Sequence, residues 1–529
     1  MQPILPNHLA GRWQTGTGGG QLLRDPVLGE ALVRVDAQGL DLEAGFAFAR
    51  EHGGKALRAL TYRERAALLS AVVDVLQQNR DAYYDIATAN SGTVRRDSAV
   101  DIDGAIFTLK HYARIGATLG DARHLPDGEA ASLSKDGQFQ SLHVQVPSRG
   151  LALLINAFNF PGWGLWEKAG PALLSGVPVV VKPATATAWL TQRMVEDVVK
   201  AGVLPAGALS IVCGSPAGLL DALQPFDLLS FTGSADTAQR IRSHPAIARE
   251  GVRLNVEADS VNAALLLPDG ADRADRADGR ALELLADEVV REMTVKSGQK
   301  CTAIRRVLVP AHCYDAAAAA IAERLARVSV GNPRNASVTM GSLVSRTQLD
   351  AVHAGLAALQ AQTQTLVDGT AAPLIDADPQ VACCIGPTLL GARDAGSDIV
   401  HETEVFGPVA TLIPYGGSGN REQDIGEACA LIRRGKGSLV ASLYGTEAAT
   451  LAATALELAD SQGRVHVITP DVAGTQTGHG NVMPQSLHGG PGRAGGGEEL
   501  GGIRALNFYH RRCALQASTA VLGALATGA

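Results

Sequence analysis

Apolar and polar positions follow two different rhythms along this chain. In residues 62–76 apolar side chains recur at helical spacing and stop at the polar Gln77-Gln78-Asn79-Arg80; residues 81–90 and 101–115 repeat the pattern. The first 130 residues therefore read as mostly helical after a short, β-like start. Residues 138–147 partly alternate polar and apolar, which predicts a half-buried strand outside the main core. From Leu151 the rhythm changes. Short apolar runs at 151–155, 179–181 and 228–231 alternate with helix-like segments. The clearest of these segments, 190–202, places Leu190, Met194 and Val198 on one face, with Gly202 at its end and Pro205 just beyond. Apolar strands alternating with helices predict a parallel sheet covered on both faces, with ligands at the carboxyl ends of its strands. Residues 156–161, 182–187, 232–234 and 257–260 hold those positions.

The polar stretch 269–279, in which Ala-Asp-Arg repeats, reads as a surface link. Beyond it the same alternation returns: a helix from Ala281, a strand at 307–309, a helix at 316–328, a strand at 438–443, a helix at 447–458 and a strand at 465–468. This predicts a second α/β region. Residues 489–502 are rich in glycine but fit neither glycine-rich nucleotide signature, because no predicted strand precedes them and no Gly-Lys-Ser/Thr occurs. They read as a mobile loop that lines a site. Residues 503–515 read as a closing strand.

A chain of 529 residues exceeds what one core holds, so two or more domains are expected. The formal net charge of −7 argues against nucleic acid as a partner, since its binders usually carry a basic stripe. No signal-peptide pattern opens the chain, and no apolar run approaches the ~18 residues of a membrane span. Seven scattered cysteines give no disulfide framework, and the adjacent Cys383-Cys384 pair lacks zinc-ligand spacing. The expected setting is a reducing cytoplasm, with no metal in the site.

The stretch Lys296-Ser297-Gly298-Gln299-Lys300-Cys301-Thr302 lies between the 281–295 helical pattern and the 307–309 strand. Loops between packed elements tend to carry binding and catalytic groups. The glycine permits a sharp turn or a close approach. The two lysines are expected to favour the thiolate of Cys301, which is the nucleophilic form. Read alone, Cys301 is a small buried hydrophobe; its weight comes from the stretches read beside it.

Those stretches occur in one order: Asn159-Phe160-Pro161, Val181-Lys182-Pro183, Phe231-Thr232-Gly233-Ser234, Glu257, Gly298-Gln299-Lys300-Cys301 and Glu404-Val405-Phe406-Gly407-Pro408. On these six motifs, spread over about 250 residues, the chain resembles the aldehyde dehydrogenase superfamily nearly end to end. Asn255-Val256-Glu257-Ala258-Asp259-Ser260 and the run 488–502 are similar to signatures of the semialdehyde dehydrogenases of aerobic aromatic degradation through CoA thioesters. The resemblance implies an α/β fold with a dinucleotide-binding domain (1–130 and 150–265) and a catalytic domain (266–485). It adds a small β arm (131–149 and 503–529) that pairs subunits through sheet edges, so a homodimer is expected.

The resemblance also assigns roles. Cys301 is the nucleophile, and the Asn159 side chain with the Cys301 backbone N–H forms the oxyanion donors. Glu257 is the general base that activates water. Members that pass the acyl group to CoA generally lack this glutamate, so release of a free acid is expected. Lys182 matches the lysine on the adenosine ribose. Three residues on, where a glutamate usually binds both ribose hydroxyls, stands Thr185. A carboxylate there repels a 2′-phosphate and a threonine beside a lysine accepts one, so NADP is expected over NAD.

Thr232, Gly233 and Ser234 are expected near the pyrophosphate, with Ala238 where the family has a later glycine. Glu404 is expected on the nicotinamide ribose and Phe406 at the nicotinamide end, with Phe158 and Ala258 also on the cofactor side. Ala258-Asp259-Ser260 departs from the usual leucine and two glycines. The expected reaction is NADP-dependent oxidation of a CoA-linked semialdehyde to its acid. Transfer to CoA, a broad-specificity aldehyde dehydrogenase and a non-enzymatic scaffold of the same fold are the alternatives. The 489–502 stretch is the expected entrance for the CoA part.

Overall fold

The computed structural model describes residues 2–271 and 280–526. Two seven-stranded sheets dominate it. In the first, Arg253–Glu257, Leu228–Thr232, Ala152–Ile155, Val179–Lys182 and Leu209–Ile211 run parallel in that spatial order. The hairpin of Asn7–Leu9 and Arg12–Gln14 extends this sheet antiparallel. Helices cover both faces, so Val179, Val180 and Val181 are all fully buried. That is why these strands read as unbroken apolar runs rather than as alternations. The helices Tyr62–Gln78, Arg95–Leu119 and Trp163–Leu174 pack together over one face. The first opens with a reciprocal cap: Thr61 Oγ1 accepts from the Glu64 N–H, and the Glu64 carboxylate accepts from the Thr61 N–H.

The second sheet runs Thr363–Val367, Thr388–Ala392, Val409–Tyr415, Ile304–Pro310, Asn262–Leu266, Ser438–Tyr444, Gln462–Ile468, with only the first strand antiparallel. Its central strand Ile304–Pro310 is buried along its whole length yet contains two arginines. Buried charge needs partners. Arg306 finds them in the carbonyls of Val261, Leu431 and Ile432. A smaller sheet lies outside both cores: Phe139–Pro147 pairs antiparallel with the nine-residue strand His510–Ser518, and Leu125–Pro126 and Ala131–Ser132 line its other edge.

Residues 62–76, 81–90 and 101–115 fall inside the helices Tyr62–Gln78, Arg80–Ser91 and Arg95–Leu119. Two readings are corrected. Residues 489–502 are not a mobile loop. Leu487–Gly489 and Glu498–Leu500 form a hairpin pressed onto the strand Arg253–Glu257, with Ala258 N–H donating to Ala494 O (2.9 Å) and Gly497 N–H to Val256 O (3.0 Å). A Cβ on Gly495 or Gly497 would come within 2.3 or 2.4 Å of the Val256 carbonyl oxygen. These glycines serve close approach, not freedom. Residues 503–515 are not one strand either: Gly502–Ala505 and Leu506–Tyr509 are helical turns, and the strand starts at His510. Of the predicted link 269–279, residues 272–279 lie outside the described residues, and Pro268–Ala271 is a short helix. Among the described residues no helix is long and apolar enough to cross a membrane.

Candidate active site

The backbone leading to Cys301 takes an unusual path. Lys296, Ser297 and Gly298 follow one another in the left-handed region, with φ of 52°, 55° and 69°. For the two non-glycine residues this conformation costs roughly 1–3 kcal/mol each, so the surroundings must impose it. The Lys296 N–H donates to Asp97 Oδ2 (2.8 Å) and Ser297 Oγ to Gly341 O (3.0 Å). Gln299 donates to Lys296 O and accepts from Val344 N–H, both at 3.1 Å. The Arg305 guanidinium donates to Gly298 O (2.8 Å), Lys300 O (3.2 Å) and Gly407 O (2.7 Å). At Gly298 any Cβ would meet the Gly407 carbonyl oxygen at 2.3 Å. Past the turn, Asn262 Nδ2 donates to the carbonyls of Cys301 (2.8 Å) and Ala303 (2.9 Å). The Cys301 carbonyl is therefore tied down, while its N–H donates to none of the described residues.

The two flanking lysines are paired elsewhere, and the pull of Lys300 on the thiol is outweighed, which corrects the expectation. Lys300 Nζ donates to both carboxylate oxygens of Glu292 at 2.8 Å. Lys296 Nζ lies 4.0 Å from Asp101 and 4.7 Å from the centre of the Phe160 ring. Burial, and next the Glu257 carboxylate, push the Cys301 thiol well above its ordinary range. Resting Cys301 is thus a thiol that needs a base.

Cys301 stands where two cavities meet. The larger, about 560 Å³, is lined by all the site residues inferred from sequence: Phe158, Asn159, Lys182, Thr185, Thr232, Gly233, Ser234, Glu257, Ala258, Glu404 and Phe406, together with Cys301. The other, about 390 Å³, is walled mainly by Phe107, Phe160, Trp163, Val482 and Met483, with His488 and Cys301 at its base. Lys182, Thr232 and Glu257 each end a parallel strand of the first sheet, which sets all three side chains at its ligand-binding end.

Several of these groups are left open. Lys182 has no hydrogen-bond or ion-pair partner among the described residues, and burial lowers its pKa. Thr232 Oγ1 and Glu257 Oε1 are buried without hydrogen-bond partners. Ser234 caps the helix Ala235–Arg242 by accepting from the Thr237 N–H (3.3 Å), so the positive end of that helix faces the cavity. Thr185 opens the turn Thr185–Thr187 and also borders a further recess of about 440 Å³. Asp36 in that recess accepts from the N–H groups of Gly18 (2.5 Å) and Gln38 (3.1 Å). Glu404 accepts from the Ser260 N–H at 3.3 Å, and burial, opposed by Arg305, pushes its carboxyl up to about 7. Phe406 meets Phe158 edge-on at 5.7 Å.

Sequence reading missed the charges behind Glu257. His488 Nε2 lies 3.1 Å from Glu257 Oε2, and both side chains are buried. The helix Trp163–Leu174 is apolar but for Glu167-Lys168, an adjacent pair that was the available signal. Lys168 ion-pairs with Glu167 and with Glu499, the latter at 3.0 Å. Glu499 in turn accepts from Ser230 Oγ (2.7 Å) and Asn255 Nδ2 (2.9 Å). Burial works to raise the Glu257 carboxyl, but His488, then Lys168 and the Cys301 thiol, outweigh it and keep the group ionised. Glu167 is pushed the other way: burial raises it, against Lys168.

An α/β fold of two large sheets, with a cysteine between a larger cavity at the strand ends and an apolar one, suits an aldehyde dehydrogenase, and the family comparison agrees. The aldehyde dehydrogenase family profile matches residues 13–512, and the chain belongs to that family. It is 51% identical over 489 residues to the 3,4-dehydroadipyl-CoA semialdehyde dehydrogenase of Aromatoleum evansii, covering 92% of this chain and 93% of the relative. The fold is similar to that of an oxidoreductase from Marinobacter aquaeolei, with a TM-score of 0.80, 23% identity, and 97% and 98% of the two chains covered. It is also similar to an NADP-dependent enzyme of E. coli, with a TM-score of 0.81, 21% identity, and 97% and 98% covered. The expected aldehyde dehydrogenase-like α/β fold is borne out.

Proposed function

We propose that this chain oxidises a CoA-linked semialdehyde, 3,4-dehydroadipyl-CoA semialdehyde or a near analogue, to the carboxylic acid with NADP. The Aromatoleum relative supports the substrate. The observation that carries the chemistry is the meeting of two cavities at Cys301, with Glu257 beside it. A nicotinamide dinucleotide fits the larger cavity: the unpaired Lys182, the unpartnered Thr232 Oγ1 and the helix start at Ser234 are receptive to hydroxyl and phosphate oxygens. Thr185, beside Lys182 where a carboxylate would repel it, supports a 2′-phosphate there.

Glu257 takes the proton of the Cys301 thiol, and the sulfur adds to the aldehyde carbon. The Asn159 amide and the Cys301 N–H then donate to the oxyanion, each worth roughly 3 kcal/mol when aimed at it. A nicotinamide dinucleotide held by Lys182, Thr232 and the helix start at Ser234 would supply the hydride acceptor for this oxidation. The acyl group is left as a thioester on Cys301. Glu257 must shed its proton and then deprotonate water, which attacks the thioester and frees the acid. Glu167 lines the small space shared by Asn159, Glu257 and Cys301.

A homodimer through the outer sheet is part of the same reading. The strand His510–Ser518 leaves one edge bare, and Phe139 and Val146 on its neighbour are exposed. Light scattering of the purified chain measures this directly. The test of the chemistry is Glu257→Gln mixed rapidly with NADP and the semialdehyde. The expected result is one slow turnover of nicotinamide reduction per site, then arrest with the acyl mass on Cys301 and steady-state turnover lower by roughly 10²–10⁴. Full turnover in the variant that depends on added CoA would replace hydrolysis by acyl transfer.

A further inference from the structure

Three donor groups face one another at the nucleophile. Glu257 Oε1 is buried without a hydrogen-bond partner, and His488 Nε2 is paired only with Glu257 Oε2 at 3.1 Å. Cys301 Sγ, His488 Nε2 and a Glu257 carboxylate oxygen all lie within 4.8 Å of one another. The reaction derived above uses the cysteine and the glutamate but gives His488 no task. Buried polar atoms left unpaired call for an explanation such as a water or an ion. A thiolate, an imidazole and a carboxylate together form a donor set that suits zinc and not magnesium or calcium.

We propose that Cys301, Glu257 and His488 form a three-ligand zinc site whose occupation switches the enzyme off reversibly. The ligands come from three separate elements: the end of the strand Arg253–Glu257, the turn after Val295–Gly298 and the hairpin strand Leu487–Gly489. The hairpin is bonded to the first of these by its backbone, through Gly497 N–H to Val256 O and Ala258 N–H to Ala494 O. The separation of His488 and Glu257 is therefore set by the fold. Zinc bonds of about 2.0–2.3 Å require ligand–ligand edges of about 3.3–3.8 Å. The His488–Glu257 edge is 3.1 Å, and both edges to sulfur are 4.8 Å or less.

The surroundings favour a cation. Glu167 and Glu499 stand within 4.8 Å of Glu257, with Lys168 between them. The apolar cavity that both Cys301 and His488 face provides the entry path and room for a water as fourth ligand. On binding, zinc takes the place of the thiol proton and of the proton on His488 Nε2, both of which leave to solvent; no electrons move. Zinc and aldehyde need the same sulfur, so they exclude each other. Among the described residues no other cysteine belongs to such a group.

The experiment is a titration of the purified enzyme with Co²⁺, followed by the thiolate-to-cobalt charge-transfer absorption, alongside inhibition by Zn²⁺. Wild type is expected to give one cobalt per chain and zinc inhibition that is competitive with aldehyde and reversed by EDTA. Cys301→Ala should lose the band. His488→Gln should weaken both cobalt binding and its own zinc inhibition by roughly a hundredfold. Glu257→Gln, read by cobalt titration alone, repeats the test on a different ligand should His488→Gln fold poorly. Absence of the band in wild type, or metal affinities unchanged in both variants, would overturn the proposal.

Discussion

The buried polar groups on the two sides of Cys301 differ in one respect. On the side of the second sheet they are engaged: Lys300 is saturated by Glu292, Asn262 bridges two carbonyls, and Arg305 donates to three. On the side of the first sheet the groups that line the larger cavity are left open, Lys182, Thr232 Oγ1 and Glu257 Oε1 among them, while Lys168, Glu499 and Asn255 behind them are engaged. A buried polar group without a partner costs about 1–3 kcal/mol, so a fold carries several together only where a ligand completes them. The engaged groups hold the backbone in place, and the open groups receive. Proximity to the nucleophile in sequence does not say which is which.

Substitutions that treat the two sides alike should give opposite results. The largest effect is at the junction: Cys301→Ala should lower turnover by roughly 10⁴-fold or more while nucleotide affinity, read by calorimetry, stays as it was. Next come the two lysines. Lys300→Met strands the Glu292 carboxylate in the core and should lower stability to urea by about 3–5 kcal/mol. Lys182→Met should change stability by less than about 0.5 kcal/mol and instead raise the KM for NADP. Equal destabilisation by both would dissolve the distinction.

A smaller effect concerns pH. The Glu404 carboxyl, held near 7 by burial, is ionised only above that value. The form that accepts from ribose hydroxyls is therefore lost as pH falls through about 7, and cofactor KM should rise there. The stability contribution runs the other way. The folded state holds the proton more tightly than the unfolded one, so this group makes folding less favourable as pH rises from the ordinary carboxylate value towards 7. Glu404→Gln should flatten both dependences. The smallest change is one of preference. Thr185→Glu should shift the NADP-to-NAD ratio of kcat/KM by about tenfold or more towards NAD, roughly 1.4 kcal/mol.

Much of the open side was legible in the sequence, because apolar strands announce a parallel sheet and the sheet says where its ligands go. Lys182, Thr232 and Glu257 end strands that periodicity located. Groups joined only by the tertiary fold were not legible. Ser230 and Glu499 meet across 269 residues, and no local pattern links them. The lysines beside Cys301 misled for the same reason: neighbours in sequence, they point to Glu292 and Asp101. Glycine content misled at 489–502, since composition cannot separate a chain that must move from one that must pass close to another backbone.

The left-handed turn at Lys296, Ser297 and Gly298 also sets a timetable. Its restraints include Gly341 and Gly407, which leave the ribosome after Cys301 does, and His488 follows later still. A chain made from its amino end thus carries the cysteine long before it owns a nucleophile. During synthesis the sulfur is an ordinary thiol, and the turn, the base and the donors around it come together only when nearly the whole protein has been made.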